Sequence, residues 1–383
     1  MSKKNVLTWA GWYPQNENDY SGIFIKKHIE IIAYHLDVNV HVFTIQHHKH
    51  LWWYKKTIIK ESFGNVHYWH IPAFFPLKLA GYFIIPLIEA RRLQRKVKHI
   101  DYFHLHVSYP YAVFTLFLRC IKIDKWLLTE HWSGYTSYDN TYSRLNKFYQ
   151  TGITHALKKM KAISVVSDFL KMEMTKRFPF LSHKILVIPN IIHIPENLKV
   201  HKKTDTFYLL TISNLKDNPK NISFLLKVMA EVVKEHPSVK LDIYGDGADK
   251  EHLLKMAADL GLLDKYVFFK GKFNNAETNK IYSSYHAFIL LSKFETFSIV
   301  TAEALAHGLP VIVTKCGAPQ EYVIDDVNGY LVDIDDLEQT KNSVIRLMKN
   351  YHAFNSDKIK ETVTENFSQE KILSQFKRLY DIS

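Results

Sequence analysis

The sequence predicts an α/β protein with open, mainly parallel sheets in two successive domains. Short apolar strand patterns alternate with amphipathic helix patterns along both halves of the chain. A polar, proline-containing stretch at 191–206, IIHIPENLKVHKKTDT, separates the halves as a domain linker would. The length of 383 residues also favours two domains, since a single domain usually has roughly 100 to 200 residues.

The first half opens with a strand, a loop, a helix and a second strand. These are KNVLTWA, a loop that contains Gly22, IFIKKHIEIIAYHL with helical spacing of apolar residues, and NVHVFTIQ. This order predicts a parallel sheet, because a crossover helix lets the next strand run in the same direction. The alternation continues through DYFHLHVS, YAVFTLFLRCIK, KWLLTEH, SRLNKFYQTGITHALKKM, KAISVVS, DFLKMEMTKRF and ILVIPN.

The second half repeats the alternation after the linker. Its strand patterns are FYLLTISNL, VKLDIYGDG, YVFFKGKF and AFILLS, and the helix patterns between them are NISFLLKVMAEVVKEH, ADKEHLLKMAADLG and AETNKIYSSY. The chain closes with FSQEKILSQFKRLYDI at 367–382, which has the capping signature and apolar stripe of an amphipathic helix.

Composition excludes several classes of protein. Hydrophobic residues at 47% and aromatic residues at 14% exclude a disordered chain. Cys120 and Cys316 lie in different halves, which argues against a disulfide scaffold or a cysteine metal site. The opening MSKKNVLTWAGWYP predicts no signal peptide, and the longest apolar run, LAGYFIIPLI at 79–88, is too short to span a bilayer. We therefore expect a cytoplasmic protein.

The segment 287–319 places two carboxylates around one strand-to-helix turn. AFILLS has the continuous apolar pattern of a strand buried on both faces, and we expect Ser298 to cap the helix that follows. Glu295 then lies in the loop beyond the carboxyl end of the strand, where ligands bind in such sheets, and Glu303 lies inside the helix. Glutamates are usually solvated, but Glu303 has apolar or small neighbours and needs hydrogen-bond donors such as ribose hydroxyls.

The same segment resembles a known family signature. The pattern ETFSIVTAE, followed by ALAHGLPVIVT and GAPQE, is similar to the E-x7-E signature of the retaining glycosyltransferases of family 4. The resemblance implies that Glu295 contacts hydroxyls of the donor sugar and Glu303 the ribose of the nucleotide. The family usually has glycine at two positions of this loop, where small residues let backbone amides approach the sugar and phosphate. The resemblance assigns nucleotide-sugar binding to Thr296, Phe297, Ser298 and Ile299, of which Thr296 and Ser298 replace those glycines.

The loop after the first strand of the second half contains a candidate cation for a phosphate group. TISNLKDNPKNISFLL places Lys220 just before a helix, where its ammonium could reach a diphosphate, although an ordinary surface lysine is the alternative. Family 4 commonly has Gly-Arg at Ser213–Asn214 and a lysine six residues beyond the arginine, where Lys220 stands. Asn214 therefore replaces one of the two usual phosphate cations, and Lys220, backbone amides or another cation must meet the diphosphate charge.

Further motifs occur in the order that the resemblance requires. TEHWSG places His131 at the end of a strand, and the family has T-x-H at a similar point, with the histidine facing the transferred sugar. A lone histidine is otherwise more often structural. Gly22 resembles the glycine of the family's first-domain loop, and Gly245 with Gly247 matches its G-x-G turn near the base.

His104 and His106 occupy one face of the strand FHLHVS. Their spacing is compatible with metal ligands, but the sequence suggests no third ligand nearby, and the resemblance implies catalysis without a metal. We therefore expect these two histidines to lie on the cleft floor or in the core. We expect no metal and no cofactor other than the nucleoside-diphosphate sugar, which is a substrate.

Positive charge is concentrated in the first half. Residues 1–190 contain 26 Lys/Arg against 12 Asp/Glu, whereas 191–383 contain 24 against 26. The densest cluster, ARRLQRKVKH at 90–99, follows the aromatic stretches HLWWYKK and YWHIPAFFPLKLAGYFIIPLI. This combination favours contact with an anionic membrane surface on the inner face of the cell membrane. The alternative is a solvated helix face beside an ordinary core.

The predicted fold class is α/β, with two Rossmann-like domains facing across a cleft (GT-B type). Residues 1–192 form the acceptor domain, 193–366 the nucleotide-sugar domain, and 367–383 a helix that returns to the first domain. The resemblance implies a retaining, metal-independent hexosyltransferase that acts on a saccharide or lipid-linked acceptor, in the synthesis of polysaccharide, lipopolysaccharide or glycolipid. The alternatives are a nucleotide-sugar epimerase or phosphorylase and, less supported, a nucleic-acid-binding protein, for which no recognition motif is present.

Overall fold

The computed structural model describes residues 3–15, 19, 21–97, 99–195, 205–273 and 277–381. It divides the chain into two compact units, Met1–Ile191 with Gln369–Ser383 and Ile192–Ser368. Several predicted features extend beyond the described residues. They are the opening segment at 1–2, the loop before Gly22 at 16–18 and 20, the basic cluster at Lys98, part of the linker at 196–204, the helix start at Ala276 and the chain end at 382–383.

The first unit contains, in chain order, β1 Lys4–Ala10, α1 Ile23–His35, β2 Val38–His48, β3 Lys55–Glu61, β4 Gly64–Pro72, α2 Leu77–Lys96, β5 Ile100–His106, α3 Ala112–Thr115, β6 Ile123–Glu130, α4 Thr141–Arg144, α5 Lys147–Lys159, β7 Ala162–Val165, α6 Asp168–Arg177 and β8 Ile185–Val187. In the described residues these strands form one sheet in the order β3-β4-β2-β1-β5-β6-β7-β8. Neighbouring strands are parallel except β3 and β4.

The antiparallel hairpin β3–β4 is a feature to which the sequence analysis assigned no strands. β3 has no fully buried residue, so its sequence KKTIIKE lacks the buried face that makes a strand recognisable. It is held instead as an edge strand by its pairing with β4, from Lys55 opposite His70 to Glu61 opposite Gly64. The helix α2 that follows contains most of the predicted basic cluster.

The second unit contains β9 Phe207–Ile212, α7 Asp217–Lys220, α8 Ile222–Glu235, β10 Val239–Tyr244, α9 Lys250–Asp259, β11 Val267–Gly271, α10 Thr278–Ser283, β12 Ala287–Leu290, α11 Ile299–Ala306, β13 Val311–Thr314, β14 Gly329–Val332, α12 Leu337–Lys349 and α13 Ser356–Phe367. Its described strands form a parallel sheet in the order β11-β10-β9-β12-β13-β14. The strand order reverses direction beside β9 and β12, whose carboxyl ends lead into the predicted ligand loops.

The last helix, α14 Gln369–Leu379, belongs to the first unit, as predicted. Its buried residues Ile372 and Phe376 join a core cluster with Val6 of β1 and Leu127 of β6. Tyr380, just beyond the helix, is also fully buried, and its hydroxyl lies 2.7 Å from Nδ1 of His104. The amphipathic stripe in the sequence is therefore the surface that docks this helix. Among the described residues, no helix has both the length and the apolar character needed to cross a membrane.

Candidate functional site

The loop between β12 and α11 carries the predicted donor-binding residues. Its centre is fixed by main-chain hydrogen bonds to the segment after β13: the amide of Glu295 donates to the carbonyl of Cys316 over 2.8 Å, and the amide of Ala318 donates to the carbonyl of Glu295 over 3.1 Å. Glu295 and Gly317 thus form an isolated parallel bridge. The position of the Glu295 side chain follows from this extension of the sheet beyond the strand ends.

Lys220 and Glu295 form an ion pair in the second unit. Nζ of Lys220 donates to Oε1 of Glu295 over 2.6 Å, and the same oxygen accepts a hydrogen bond of 2.8 Å from the hydroxyl of Ser292. The side chains of Lys220 and Glu295 are 22% and 11% exposed, so the pair is largely screened from water. The structure therefore brings together the predicted phosphate cation and the predicted sugar-binding carboxylate.

Asn221 connects the two loops that supply this pair, a role that sequence reasoning missed. Its backbone is left-handed, with φ of 57°, and its side-chain amide donates to the carbonyl of Leu291 (3.1 Å) and to Oδ1 of Asp335 (2.9 Å). The amide of Lys293 also donates to the carbonyl of Pro219 over 2.8 Å. The preference of asparagine for the left-handed region is the only sequence signal that points to this position.

The helix α11 begins differently from the prediction. Ser298 occupies the N-cap position, but its backbone is left-handed, with φ of 65°, and its Oγ lies 2.8 Å from Oγ1 of Thr301. The prediction that Ser298 caps a backbone N–H of this helix is wrong, because the capping geometry requires an extended backbone at the N-cap. The positive φ gives a local reason for glycine in the related pattern. The carbonyls of Phe297 and Ser298 both accept from the hydroxyl of Tyr322, at 2.6 and 3.1 Å.

Glu303 is partly buried on α11. Its Oε2 accepts a hydrogen bond of 3.2 Å from the hydroxyl of Tyr282, which also donates to the carbonyl of Val300 over 3.2 Å. Burial and the nearby Glu303 carboxylate raise the pKa of Tyr282 well above its ordinary value, so this hydroxyl remains a donor. The protein supplies one of the donors that the carboxylate needs. Thr296 and Ile299 flank the same turn and are also partly buried.

The glycines after β10 are required by close packing of the main chain. Gly245 has φ of 141°, and a Cβ there would lie 1.8 Å from the carbonyl oxygen of Ser213. A Cβ on Gly247 would lie 2.5 Å from the carbonyl oxygen of Leu215. The loop after β10 lies directly against the loop after β9, which includes Asn214, because the amide of Leu215 donates to the carbonyl of Asp246 over 3.0 Å. Asn214 itself is exposed.

Gly22 and His131 lie in the first unit. Gly22 is the N-cap of α1 with φ of 72°, and a Cβ there would meet the backbone of Trp12 at 2.5 Å. His131 follows β6 and is 6% exposed, and its ring lies 4.6 Å from that of Phe24 and 5.6 Å from that of His28. Burial lowers the pKa of His131 well below its ordinary value.

Glu130, beside His131, is a buried residue that sequence reasoning did not select. Its carboxylate accepts hydrogen bonds from the backbone amides of Ser108, His131 and Trp132, at 3.1, 2.9 and 2.9 Å. Burial raises the pKa of Glu130 to about 6, and these hydrogen bonds act in the opposite direction. Glu130 therefore fixes the turn that presents His131.

The two histidines of β5 differ in their surroundings. His104 is satisfied in the core, with Nε2 2.8 Å from Oγ1 of Thr129 and Nδ1 bonded to a tyrosine hydroxyl. His106 is equally buried, and one of its ring nitrogens lies within 4.8 Å of one ring nitrogen of His28 and one of His131. The sequence suggested no third ligand near His104 and His106. In the structure His28 and His131, which come from distant segments of the chain, lie beside His106. Burial lowers the pKa of His28 to about 4 and that of His106 well below its ordinary value.

Comparisons with known proteins agree with this architecture. The model of the family described as "Glycosyl transferases group 1" matches residues 194–365, and that of "Glycosyltransferase Family 4" matches 35–194. N-acetyl-alpha-D-glucosaminyl L-malate synthase of Bacillus anthracis is 25% identical over 303 residues, which cover 74% of this chain and 75% of the relative. The chain spans only 40% to 60% of the length of several other curated glycosyltransferases that it matches.

Two solved structures show the same fold. Sucrose-phosphate synthase from Thermosynechococcus elongatus has a TM-score of 0.80 at 19% identity, with 99% of this chain and 98% of that chain covered. The pneumococcal O-GlcNAc transferase GtfA, solved in complex with UDP and GlcNAc, has a TM-score of 0.61 at 22% identity, with 76% and 59% covered. Together with the parallel sheets, these similarities show that each unit is a Rossmann-like domain of the GT-B type. They give no support to an epimerase, a phosphorylase or a nucleic-acid-binding protein.

Proposed function

We propose that this chain, which belongs to the group 1/family 4 glycosyltransferases, transfers a sugar from a nucleoside diphosphate to a saccharide or lipid-linked acceptor, with retention of configuration and without a catalytic metal. The observation that supports this proposal best is the constellation on the second unit. Lys220, Glu295 and Glu303 are placed around one strand-to-helix turn, at the carboxyl end of a buried parallel strand.

The Lys220–Glu295 pair suits the chemistry of a sugar diphosphate. The sugar brings hydroxyl donors, which a carboxylate accepts, and the diphosphate brings acceptor oxygens, which an ammonium binds. Donor binding would therefore exchange one ion pair for two charge-assisted contacts. As the bond to the sugar breaks, negative charge develops on the leaving diphosphate, and Lys220 with the amino end of α11 would stabilise it.

Glu303 and His131 complete the proposed assignment. Glu303, oriented by Tyr282, would accept hydrogen bonds from the ribose hydroxyls. His131 lies in the turn whose backbone amides donate to the Glu130 carboxylate. It would contact the transferred sugar as a neutral ring, because burial lowers the pKa of His131. The first unit would bind the acceptor. No side chain is assigned as a covalent nucleophile, so we propose a same-face displacement assisted by the leaving phosphate.

A panel of sugar nucleotides tests the donor. We propose UDP-linked sugars first, because GtfA was solved with UDP. A cognate donor at about 100 times its dissociation constant should raise the free energy of unfolding by roughly 2.7 kcal/mol. Radiolabelled donor with and without acceptor then separates transfer from hydrolysis or epimerisation. If no sugar nucleotide stabilises the protein, the proposed function fails.

We also propose that the first unit contacts an anionic membrane surface to reach a lipid-linked acceptor. Trp52, Trp53 and Phe75 are strongly exposed, and three cations of the basic cluster are exposed as well. These cations are Arg91, Arg95 and Lys96. Arg92 differs from them because it pairs with Glu89 over 2.8 Å.

Vesicle co-sedimentation tests the membrane proposal. Each exposed cation near an anionic surface contributes about 1 kcal/mol, so the triple serine variant of the three exposed cations should release the protein from acidic vesicles. A triple serine variant of exposed lysines on the second unit is the matched control and should remain bound. It replaces Lys216, Lys234 and Lys255. Equal sedimentation of the wild type with anionic and neutral vesicles would show that this surface does not contact lipid.

A further inference from the structure

Three histidines from separate segments of the first unit meet in its interior. They are His28 on α1, His106 at the end of β5 and His131 just after β6. Each offers one ring nitrogen, and these three nitrogens lie within 4.8 Å of one another. His28 and His106 are fully buried, and His131 is 6% exposed.

Two members of this cluster, His28 and His106, have ring nitrogens without a hydrogen-bond partner in the part of the chain that the structure describes. Neither ring nitrogen of His106 has a hydrogen-bond partner there, and Nδ1 of His28 has none. A buried polar atom left without a partner costs about 1 to 3 kcal/mol. His104, two residues earlier on β5, shows the contrast, since both of its nitrogens are bonded. Among the described residues, the core thus supplies partners to both nitrogens of His104 and to neither nitrogen of His106.

We propose that His28, His106 and His131 bind a divalent transition-metal ion of the Zn²⁺ class. Imidazole nitrogen is a preferred ligand of such ions, and three protein ligands with one remaining position is a common arrangement around zinc. A tetrahedral ion with Zn–N bonds of about 2.0–2.1 Å places its nitrogens about 3.3 Å apart, so shifts of about 1.5 Å or less close the cluster on the ion.

The neighbouring carboxylate does not complete the ligand set. Both oxygens of Glu130 are directed to backbone amides, Oε2 to that of Ser108 and Oε1 to those of His131 and Trp132. The cluster therefore offers imidazoles only, and neutral nitrogen ligands favour transition metals over Mg²⁺ or Ca²⁺, which prefer oxygen.

This site goes beyond the proposed function, and its binding test does not depend on that function. The proposed transfer assigns the ring of His131 to the sugar. An ion on the same ring competes with that contact, so Zn²⁺ bound here inhibits transfer and the metal-free protein is the active form. This outcome is opposite to that of a metal-dependent enzyme, which loses activity when the ion is removed.

The test uses the full chain stripped with EDTA and then dialysed against Zn²⁺, or against Co²⁺, whose visible absorption reports tetrahedral nitrogen coordination. The wild type is expected to bind one ion per chain at this site and to unfold at a higher temperature when loaded. His106→Leu should weaken this binding by more than about 100-fold and remove the thermal shift. His104→Gln, on the same face of the same strand, is the matched control and should retain both.

Surface histidines require a separate comparison, because the chain has 21 histidines. Ions at surface positions are unaffected by His106→Leu, so equal stoichiometry and affinity in the wild type and this variant would mean surface binding only and would overturn the proposal. In EDTA, His106→Leu should be at least as stable as the wild type, since it removes two unbonded nitrogens at similar volume. If that variant does not fold, a Co²⁺-loaded wild type without a tetrahedral absorption band would overturn the proposal by itself.

Discussion

Replacement of Lys220 by methionine tests the ion pair on which the proposed donor site depends. The two charged atoms are 2.6 Å apart, and the side chains of Lys220 and Glu295 are 22% and 11% exposed. Exposed pairs contribute about 0 to 1 kcal/mol, whereas loss of one partner from a buried pair costs about 3 to 5 kcal/mol. This pair lies between these limits, so Lys220→Met should lower the free energy of unfolding by about 2 kcal/mol. Adding Glu295→Gln should recover part of that loss, because no carboxylate is then left unpaired.

Lys220→Met and Glu295→Gln should have opposite effects on the affinity for UDP. Lys220→Met should weaken binding of UDP by about 1.5 to 3 kcal/mol, or about 10-fold to 150-fold, while uridine binding stays unchanged. Glu295→Gln should tighten UDP, since phosphate no longer competes with the carboxylate for the ammonium. It should weaken the complete sugar nucleotide, which loses a charged acceptor for its hydroxyls.

Calorimetry with uridine, UDP and the cognate sugar nucleotide measures these effects, and urea denaturation measures stability. Lys293→Met is the matched control. Lys293 lies in the same loop as Glu295, its side chain is 45% exposed, and its Nζ is 3.8 Å from the carboxylate of Asp335. This control variant should change neither the ligand affinities nor the free energy of unfolding appreciably. If Glu295→Gln weakens UDP as much as the sugar nucleotide, the exchange of partners proposed for Lys220 is refuted.

Gly245→Ala should destabilise the protein by several kcal/mol more than Gly64→Ala, as measured by urea denaturation. Both glycines have φ near 140°, but only a Cβ on Gly245 would lie 1.8 Å from a carbonyl oxygen. Comparable losses would show that φ alone matters. Glu303→Gln should weaken uridine and UDP equally, by about 1.5 to 3 kcal/mol, since the ribose is common to both. Calorimetry showing a loss for UDP alone would remove the ribose assignment. Glu89→Gln should lower the free energy of unfolding at pH 7 by roughly 3 kcal/mol, and the difference should shrink as pH falls from about 5 towards 2. A difference independent of pH would contradict it.

The pH dependence expected for Glu89 follows from its surroundings on α2. Burial alone would raise the pKa of Glu89, but hydrogen bonds from His67 and Trp69 and the charge of Lys56 outweigh it and lower the pKa to about 2. A carboxyl with a lowered folded pKa contributes stability above its unfolded pKa and loses it as pH falls through the folded value. Arg92 also bonds this carboxylate, so one member of the basic cluster has a structural role.

Sequence patterns predicted the elements that have a clear periodicity. The apolar run before Glu295 marks a strand buried on both faces, and the stripe of Ile372 and Phe376 marks the docking face of α14, so both were predicted. β3 has no buried face and was missed. The backbone at Ser298 was also mispredicted, because the preference of serine for the N-cap assumes an extended conformation that this turn does not adopt.

Contacts between distant segments were beyond sequence reasoning. Nothing local to Lys220 indicates that its partner is Glu295, since their contact depends on the register of β9 beside β12. The histidine cluster is hidden for the same reason: only the order β1-β5-β6 brings the end of β5 beside the turn that holds His131. The sequence can indicate that a residue at the end of a strand faces a ligand. Which other residues it contacts depends on the order of the strands in the sheet.

The loop between β12 and α11 is held by hydrogen bonds to three other segments, which bears on how the proposed donor site would select a sugar. The loop is joined to the segment after β13 through Glu295, to the turn before α8 through Lys293, and to Tyr322 through the carbonyls of Phe297 and Ser298. Most of these contacts use main-chain atoms, so a substitution at Ile299 can alter the surface offered to the proposed donor sugar without altering the path of the backbone. Because the loop is held in this way, the charged groups of Lys220 and Glu295 need little rearrangement when a transition state forms. Ile299 is therefore a position at which exchange between related enzymes should change the preferred sugar while the Lys220–Glu295 pair remains in place.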